Sequence, residues 1–146
     1  MLRIRRARRE DLPSILRIER RSFASDAWDQ ELFLDYLTRS HNSVFLAATI
    51  DRAVVGYVLA FHSANRAEIN SIAVAPAMRR HGVAVTLLKR VIGLLGLRGL
   101  TTVSLNVRLE NKAAIRLYQR LGFQRTRRLN GYYEDGAASW RMRKSG

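Results

Sequence analysis

The sequence predicts an α/β protein built on one mixed sheet with helices on both faces, in the order β-α-α-β-β-β-α-β-α-β-β. Two observations carry this expectation. Three consecutive apolar runs read as a meander, and a strand–helix–strand unit follows them, which together call for antiparallel and parallel pairing in one sheet. No G-x-G-x-x-G follows the first strand, so the unit is not of the dinucleotide-binding type. The 146 residues suit one domain, 1–146.

Taken in order, Leu2–Ala7 alternates as a short strand. Asp11, with Pro13 in the first turn, opens a helix whose apolar positions are Leu12, Ile15, Leu16 and Ile18. A second helix is expected over Asp29–Arg39, with Leu32, Phe33, Tyr36 and Leu37 inward. Ser43–Ile50 and Ala53–His62 are strands joined by the hairpin residues Asp51-Arg52. Ala67–Ala75 is a third strand, stopped by Pro76. Arg80–Leu97 reads as a helix that ends in a stretch punctuated by Gly93, Gly96 and Gly99. Leu100–Val107 is a β-branched strand, and Asn111–Leu121 is a helix with Gly122 at its end. Phe123–Arg128 and Ala137–Arg143 close the chain as strands.

Composition narrows the chemistry. Apolar residues make up 47% and charged residues 26%, the balance of a globular chain. No apolar run approaches the roughly 18 residues of a membrane span, and no apolar segment follows the basic N-terminus as a signal peptide requires. A cytoplasmic protein without membrane attachment is the expectation. There is no cysteine, which excludes disulfides, thiolate metal sites and a cysteine nucleophile. The three histidines, His41, His62 and His81, are scattered, so no metal centre is expected.

The net charge is +14, with 26 basic residues against 12 acidic ones. Such an excess fits phosphate-bearing partners, and equally fits a solvated surface set by composition. Ser22–Thr38 runs against the trend, with Asp26, Asp29, Glu31 and Asp35 and no base.

The segment from Ile72, Ala73 and Val74 through Pro76 to Arg79-Arg80-His81-Gly82-Val83-Ala84 joins a strand to a helix. A helix N-terminus offers unpaired N–H groups and partial positive charge, which suits a pyrophosphate. Gly82 lets a ligand approach the backbone closely, and Arg79 and Arg80 add charge. The same pattern is also that of an ordinary strand-to-helix turn.

The run Arg79–Ala84 resembles the acetyl-CoA turn of the GNAT acyltransferases, whose pattern is Q/R-x-x-G-x-G/A. The segment from Asn111 to Phe123 carries N-x-x-A-I-x-L-Y-x-x-x-G-F, which resembles that family's next helix and strand. Gly131-Tyr132-Tyr133-Glu134-Asp135-Gly136 resembles the last loop of protein N-terminal acetyltransferases, particularly the ribosomal-protein alanine type.

The resemblance implies the GNAT fold, with parallel strands that splay to admit acetyl-CoA. It implies that Ile72, Ala73 and Val74 lend backbone groups to the pantetheine and acetyl carbonyl. Arg79, Arg80, His81, Gly82, Val83 and Ala84 would hold the pyrophosphate. Asn111 would touch the cofactor and is equally placed to cap its helix. Tyr118 would protonate the departing thiolate.

One position departs from the pattern, because Asn106 stands where the alanine N-acetyltransferases carry a catalytic Glu. Asn cannot accept a proton at neutral pH. Glu68, four residues before Ile72, matches the general base of the histone-acetylating branch. Strand alternation puts Glu68 and Asn70 on one face. Glu68 could alternatively be a surface carboxylate paired with Arg66, and Asn106 could orient the amine or a bridging water.

The expected acceptor is the α-amine of a protein N-terminus, with lysine or a polyamine as alternatives. At pH 7, deprotonating an α-amine costs about 1.4 kcal/mol and a lysine about 4.6 kcal/mol. Phe23, Trp28, Asn70, Tyr132 and Tyr133 are the expected acceptor-binding residues. The run Phe23-Ala24-Ser25-Asp26-Ala27-Trp28 lacks the proline of the family's loop, and its acidic surroundings suggest a cationic acceptor. Association with the ribosome fits the resemblance. A catalytically impaired ribosome- or nucleic-acid-binding module is the rival of another class, although the chain is poor in aromatic residues for stacking.

Overall fold

The computed structural model describes residues 1–23, 27–39, 41–133 and 135–145. Seven strands and four helices follow the expected order. They are β1 (Leu2–Arg6), α1 (Leu12–Phe23), α2 (Gln30–Thr38), β2 (Ser43–Ile50), β3 (Ala53–His62) and β4 (Ala67–Val74), then α3 (Val83–Leu97), β5 (Thr102–Arg108), α4 (Lys112–Arg120), β6 (Gln124–Leu129) and β7 (Ser139–Ser145). The strands form one sheet in the order β1-β2-β3-β4-β5-β7-β6. All pairs are antiparallel except β4 with β5.

The hairpin between β2 and β3 turns on Asp51 and Arg52, both left-handed at φ 49° and 71°. A two-residue turn of that kind matches the twist of the strands it joins.

Each face of the sheet has its own core. Leu87, Leu88, Val91 and Leu95 of α3 and Ile115 and Tyr118 of α4 pack with Leu46, Val58, Ile69, Leu105 and Met142 on one face. Leu12, Ile15, Leu16 and Ile18 of α1 and Phe33 of α2 pack with Phe45, Tyr57 and Leu59 on the other. Each such side chain, fully buried, contributes about 1.5–3 kcal/mol.

Several boundaries move for local reasons. Asp11 lies in a short 3-10 turn, Arg9–Asp11, so α1 begins one residue later at Leu12. Asp11 grips Arg5 through two bonds of 2.7 and 2.8 Å and accepts the Arg8 N–H at 2.7 Å, tying β1 to α1. Burial raises the pKa of its carboxyl, but the Arg5 bond and the Arg8 amide outweigh this and hold it below the usual range.

The third helix starts at Val83 rather than Arg80, because Arg80 and Gly82 are left-handed at φ 69° and 77°. In α2, Leu32 points to solvent at 44% exposure, contrary to its expected inward place. Phe33, Tyr36 and Leu37 do face the core.

Candidate active site

β4 and β5 are paired over only three positions, Ala67 with Val103, Glu68 with Ser104 and Ile69 with Leu105. Beyond Ile69, β4 stays on β3 as far as Val74, and β5 stays on β7 as far as Arg108. The strands part because β4 carries a bulge. Leu59 pairs with Ser71 and Ala60 with Ile69, leaving Asn70 as the extra residue. An inserted residue bends its strand and interrupts the ladder. The facing edges of β4 after Ile69 and of β5 after Leu105 therefore lack a strand partner.

The bulge also resets the alternation of β4. Ala67 and Ile69 enter the α3 core, whereas Ala73 enters the α1 core and Ser71 bonds to Glu19 of α1. Simple alternation therefore stops at the bulge, and Glu68 shares its face with Ser71 across it. The Oδ1 of Asn70 is buried without a hydrogen-bond partner.

The strand-to-helix turn lies at the open end of this gap. A Cβ at Gly56 would meet the Ala73 carbonyl at 3.1 Å and Val83 Cγ1 at 3.2 Å, so glycine lets β3 bring the start of α3 against the tip of β4. No side chain caps α3. A Cβ at Gly82 would meet nothing within 4 Å, which leaves open space before the helix N-terminus. Glycine is favoured there by its left-handed φ.

The basic residues around the turn have different tasks. Arg79 donates to the Val74 carbonyl at 3.2 Å and to Ser22 at 3.3 Å, bracing the turn against β4 and α1. His81 bonds the Arg79 carbonyl at 3.0 Å. Arg80 is exposed. At α4, Asn111 caps the helix, its Oδ1 accepting the Ala114 N–H at 3.2 Å.

Opposite the turn, the sheet carries a chain of polar contacts. Arg141 of β7 binds Glu68 at 2.9 Å and donates to Asn106 Oδ1 at 3.4 Å. Asn106 Nδ2 donates to the Tyr132 hydroxyl at 3.1 Å. Glu68 thus pairs with Arg141 rather than Arg66. Tyr132 and Tyr133 meet edge to face with centroids 4.9 Å apart, and Arg108 lies 4.1 Å from the centre of the Tyr133 ring. Tyr118 of α4 is buried edge-on to Phe123 at 5.9 Å. Burial, with a smaller contribution from the nearby Tyr133 phenol, pushes its pKa up to about 12.

The loop between α1 and α2 is anchored from beneath. Glu19, 1% exposed, accepts the Trp28 N–H at 2.9 Å, the Ser71 hydroxyl at 2.7 Å and the Tyr57 hydroxyl. Trp28 packs at 5.6 Å from both Phe33 and Tyr36, so its ring shapes the loop from the core side. Phe23 is half-buried against the same cluster. Residues 24–26 of this loop, Asp26 among them, and Glu134 of the last loop lie outside the described residues.

Two acids of the segment have partners within their own helix. Asp29 caps α2 by accepting the Leu32 N–H at 3.0 Å, and Asp35 pairs with Arg39 at 3.1 Å. Sequence reasoning missed Glu19 and Arg141. Glu19 falls on the apolar stripe of α1, four residues after Ile15 and three after Leu16, where a carboxylate must find buried partners. Arg141 alternates with the core residue Met142 and lies opposite Asn106.

Two bare strand edges that open toward a helix N-terminus accommodate an extended ligand with amides along its length and phosphates at one end. Together with the motifs at Arg79–Ala84 and Asn111–Phe123, this arrangement points to an acyltransferase. Residues 9–123 match the acetyltransferase (GNAT) family, and the chain belongs to it. An N-alpha-acetyltransferase of Saccharolobus solfataricus is 30% identical over 152 residues, which cover 95% of this chain and 90% of that protein. The ribosomal protein bS18-alanine N-acetyltransferase of Salmonella typhimurium is 32% identical across 84% of this chain and 81% of its own length. The crystal structure of Ard1 from Thermoplasma volcanium superposes with a TM-score of 0.92 at 30% identity, covering 99% of this chain and 97% of that one. Among the described residues, no helix is long and apolar enough to cross a membrane.

Proposed function

We propose that residues 1–146 act as one N-acetyltransferase domain that moves an acetyl group from acetyl-CoA to the α-amine of a protein N-terminus. The parting of β4 from β5 at Ile69 and Leu105 carries this reading. It leaves main-chain groups of Ile72, Ala73 and Val74 open to pair with the pantetheine amides and the acetyl carbonyl. The turn from Arg80 to Ala84, with open space before Gly82, suits the pyrophosphate. Arg79 braces that turn, and Asn111 supports the cofactor side by capping α4.

Acetyl-CoA supplies a thioester carbonyl and a thiolate leaving group. The amine must give up a proton and the thiolate must be stabilised. Glu68, on the acceptor face at the closed end of the gap, is the carboxylate we assign to the amine proton. Arg141 orients it. Asn106 uses both ends of its amide on Arg141 and Tyr132, which makes it a positioning residue. Tyr118 keeps its proton well beyond neutral pH and can donate it as negative charge develops on sulfur. Tyr132 and Tyr133, beside Asn106 and Arg108, would border the slot that a chain terminus enters.

The proximity of the curated relatives, an N-alpha-acetyltransferase and a ribosomal-protein alanine N-acetyltransferase, supports the α-amine over lysine or polyamine. The absence of cysteine fits work in the cytoplasm, and a ribosomal protein is one candidate acceptor. The test offers the enzyme acetyl-CoA with a peptide bearing both a free N-terminus and an internal lysine, and spermidine in a parallel reaction. Fragmentation mass spectrometry is expected to place the acetyl group on the α-amine. Acetylation of lysine or spermidine alone would overturn the reading.

A further inference from the structure

Beyond its α-amine, an acceptor must lie against whatever borders the gap, and on the sheet side that border is arginine. β5, β7 and β6 form two cross-strand rows on the face that carries Glu68. One runs Ser104, Arg143, Gln124, and the other runs Asn106, Arg141, Arg127. Residues directly opposite one another share a face. The alternate positions Leu105 and Met142 are buried in the α3 core, so both rows point away from it.

Arg127 and Arg143 are exposed. Among the described residues, no carboxylate lies within ion-pair distance of either. Glu68 is already bonded to Arg141. Glu110 and Asp135 are bonded to Arg108. The sheet therefore shows the acceptor a positive surface beside which the described acids Glu68, Glu110 and Asp135 are already paired.

We propose that these rows select acceptors with carboxylate side chains just behind the N-terminal residue, so that the preferred substrate is an acidic N-terminal segment. The proposal rests on the α-amine reading of the acceptor. Neighbouring strands lie about 4.8 Å apart, which puts Arg141 about 5 Å and Arg127 about 10 Å from Asn106 in strand spacing. An extended peptide advances about 3.4 Å per residue, so its second to fourth residues span that distance. Arg127 and Arg143 are exposed enough to turn toward a carboxylate and to hold it with two bonds.

The experiment uses three peptides with the same first residue and with three Glu, three Gln or three Lys behind it. The native enzyme is assayed with acetyl-CoA at low salt and at 0.5 M NaCl. The expected kcat/KM falls in the order Glu, Gln, Lys, with roughly two- to fivefold per carboxylate between Glu and Gln. The ratio should shrink at high salt, where exposed charges are screened. The double variant R127E/R143E should bring the Glu-to-Gln ratio to one or below. Arg128→Glu reverses one charge at a position opposite Trp140, on the other face of the sheet, and should keep the native ratio.

Equal use of all three peptides, or a native ratio in R127E/R143E, would overturn the inference and leave the α-amine reading standing. If none of the peptides is acetylated while spermidine is, the α-amine reading falls and takes the inference with it. A single-stranded oligonucleotide that inhibits the native enzyme but not R127E/R143E, and does so more strongly than the Glu peptide, would assign the rows to nucleic acid instead.

Discussion

On the face that carries α1 and α2, the two halves of the sheet serve different purposes. From β1 to β4, inward positions such as Phe45, Tyr57 and Leu59 are sealed beneath helices, and the polar groups there, Glu19 and Ser71, are bonded to each other. From β5 to β6, the same face lies outside the core that α1 and α2 form among the described residues and presents Asn106, Arg141, Arg143 and Arg127. The border between the halves is the bulge at Asn70. A single sheet can thus supply both a dry core and a ligand wall, provided one strand bends away at the border.

The largest effect is expected from breaking the wet side of the comparison. Glu68→Gln keeps the size of the side chain and an oxygen for Arg141, but removes the proton acceptor. We expect kcat/KM to fall by about 10²–10⁴. The loss should diminish as pH rises past about 8, where the α-amine is already neutral. Asn106→Glu should fold normally, because Arg141 supplies a counter-charge, and should raise kcat/KM. A pH profile for Glu68→Gln that overlays the native one would give the amine proton to an ordered water instead.

Tyr118, the residue we assign to the thiolate, belongs to the core on the opposite face. Tyr118→Phe should lower kcat about a hundredfold with little change in acetyl-CoA affinity, since the hydroxyl acts as charge develops. Because its pKa is about 12, no loss of native activity below about pH 11 should come from its ionisation. The linked effect on stability has a definite sign. The folded state holds a proton that the unfolded chain releases near pH 10, so Tyr118 destabilises the fold only as pH climbs above about 10. Comparing urea midpoints of the native protein and Tyr118→Phe at pH 8 and pH 11 checks this.

The dry side is sharpened by Glu19→Ala. The Trp28 N–H and the hydroxyls of Tyr57 and Ser71 would lose their acceptor inside the core. We expect a loss of about 2–4 kcal/mol in urea unfolding. Glu19→Gln, which keeps an acceptor and the side-chain size, should recover part of it. A Glu19→Ala midpoint within error of the native one would mean that the network contributes nothing net to stability.

The order of elements was legible because each depends on local periodicity. Ser43–Ile50 and Ala53–His62 are found as expected, since alternation and a two-residue turn specify a hairpin without outside help. The start of α3 shifted because two residues before it take left-handed φ, which arginine rarely adopts. Leu32 was misread because α2 is only nine residues long and buries Phe33 instead. Glu68, Asn106 and Tyr132 could be named in the sequence, but not their connection. Arg141 lies 35 residues from Asn106 and 73 from Glu68, and only strand pairing brings the three together. The bulge was equally hidden, because which residue is extra depends on the partner strand, not on Asn70 itself.

That bulge constrains how this site can change over time. Upstream of Asn70, odd-numbered residues of β4 point toward α3; downstream, even-numbered ones do, as Ile72 and Val74 demonstrate. The strand is therefore written in two reading frames joined at one residue. Removing or adding a residue between Ile69 and Val74 would exchange core and cleft side chains along the whole tip of the strand. Substitutions can retune the site one position at a time, but length changes here would scramble it at once. Divergence along β4 should thus proceed by replacement, with its residue count held fixed.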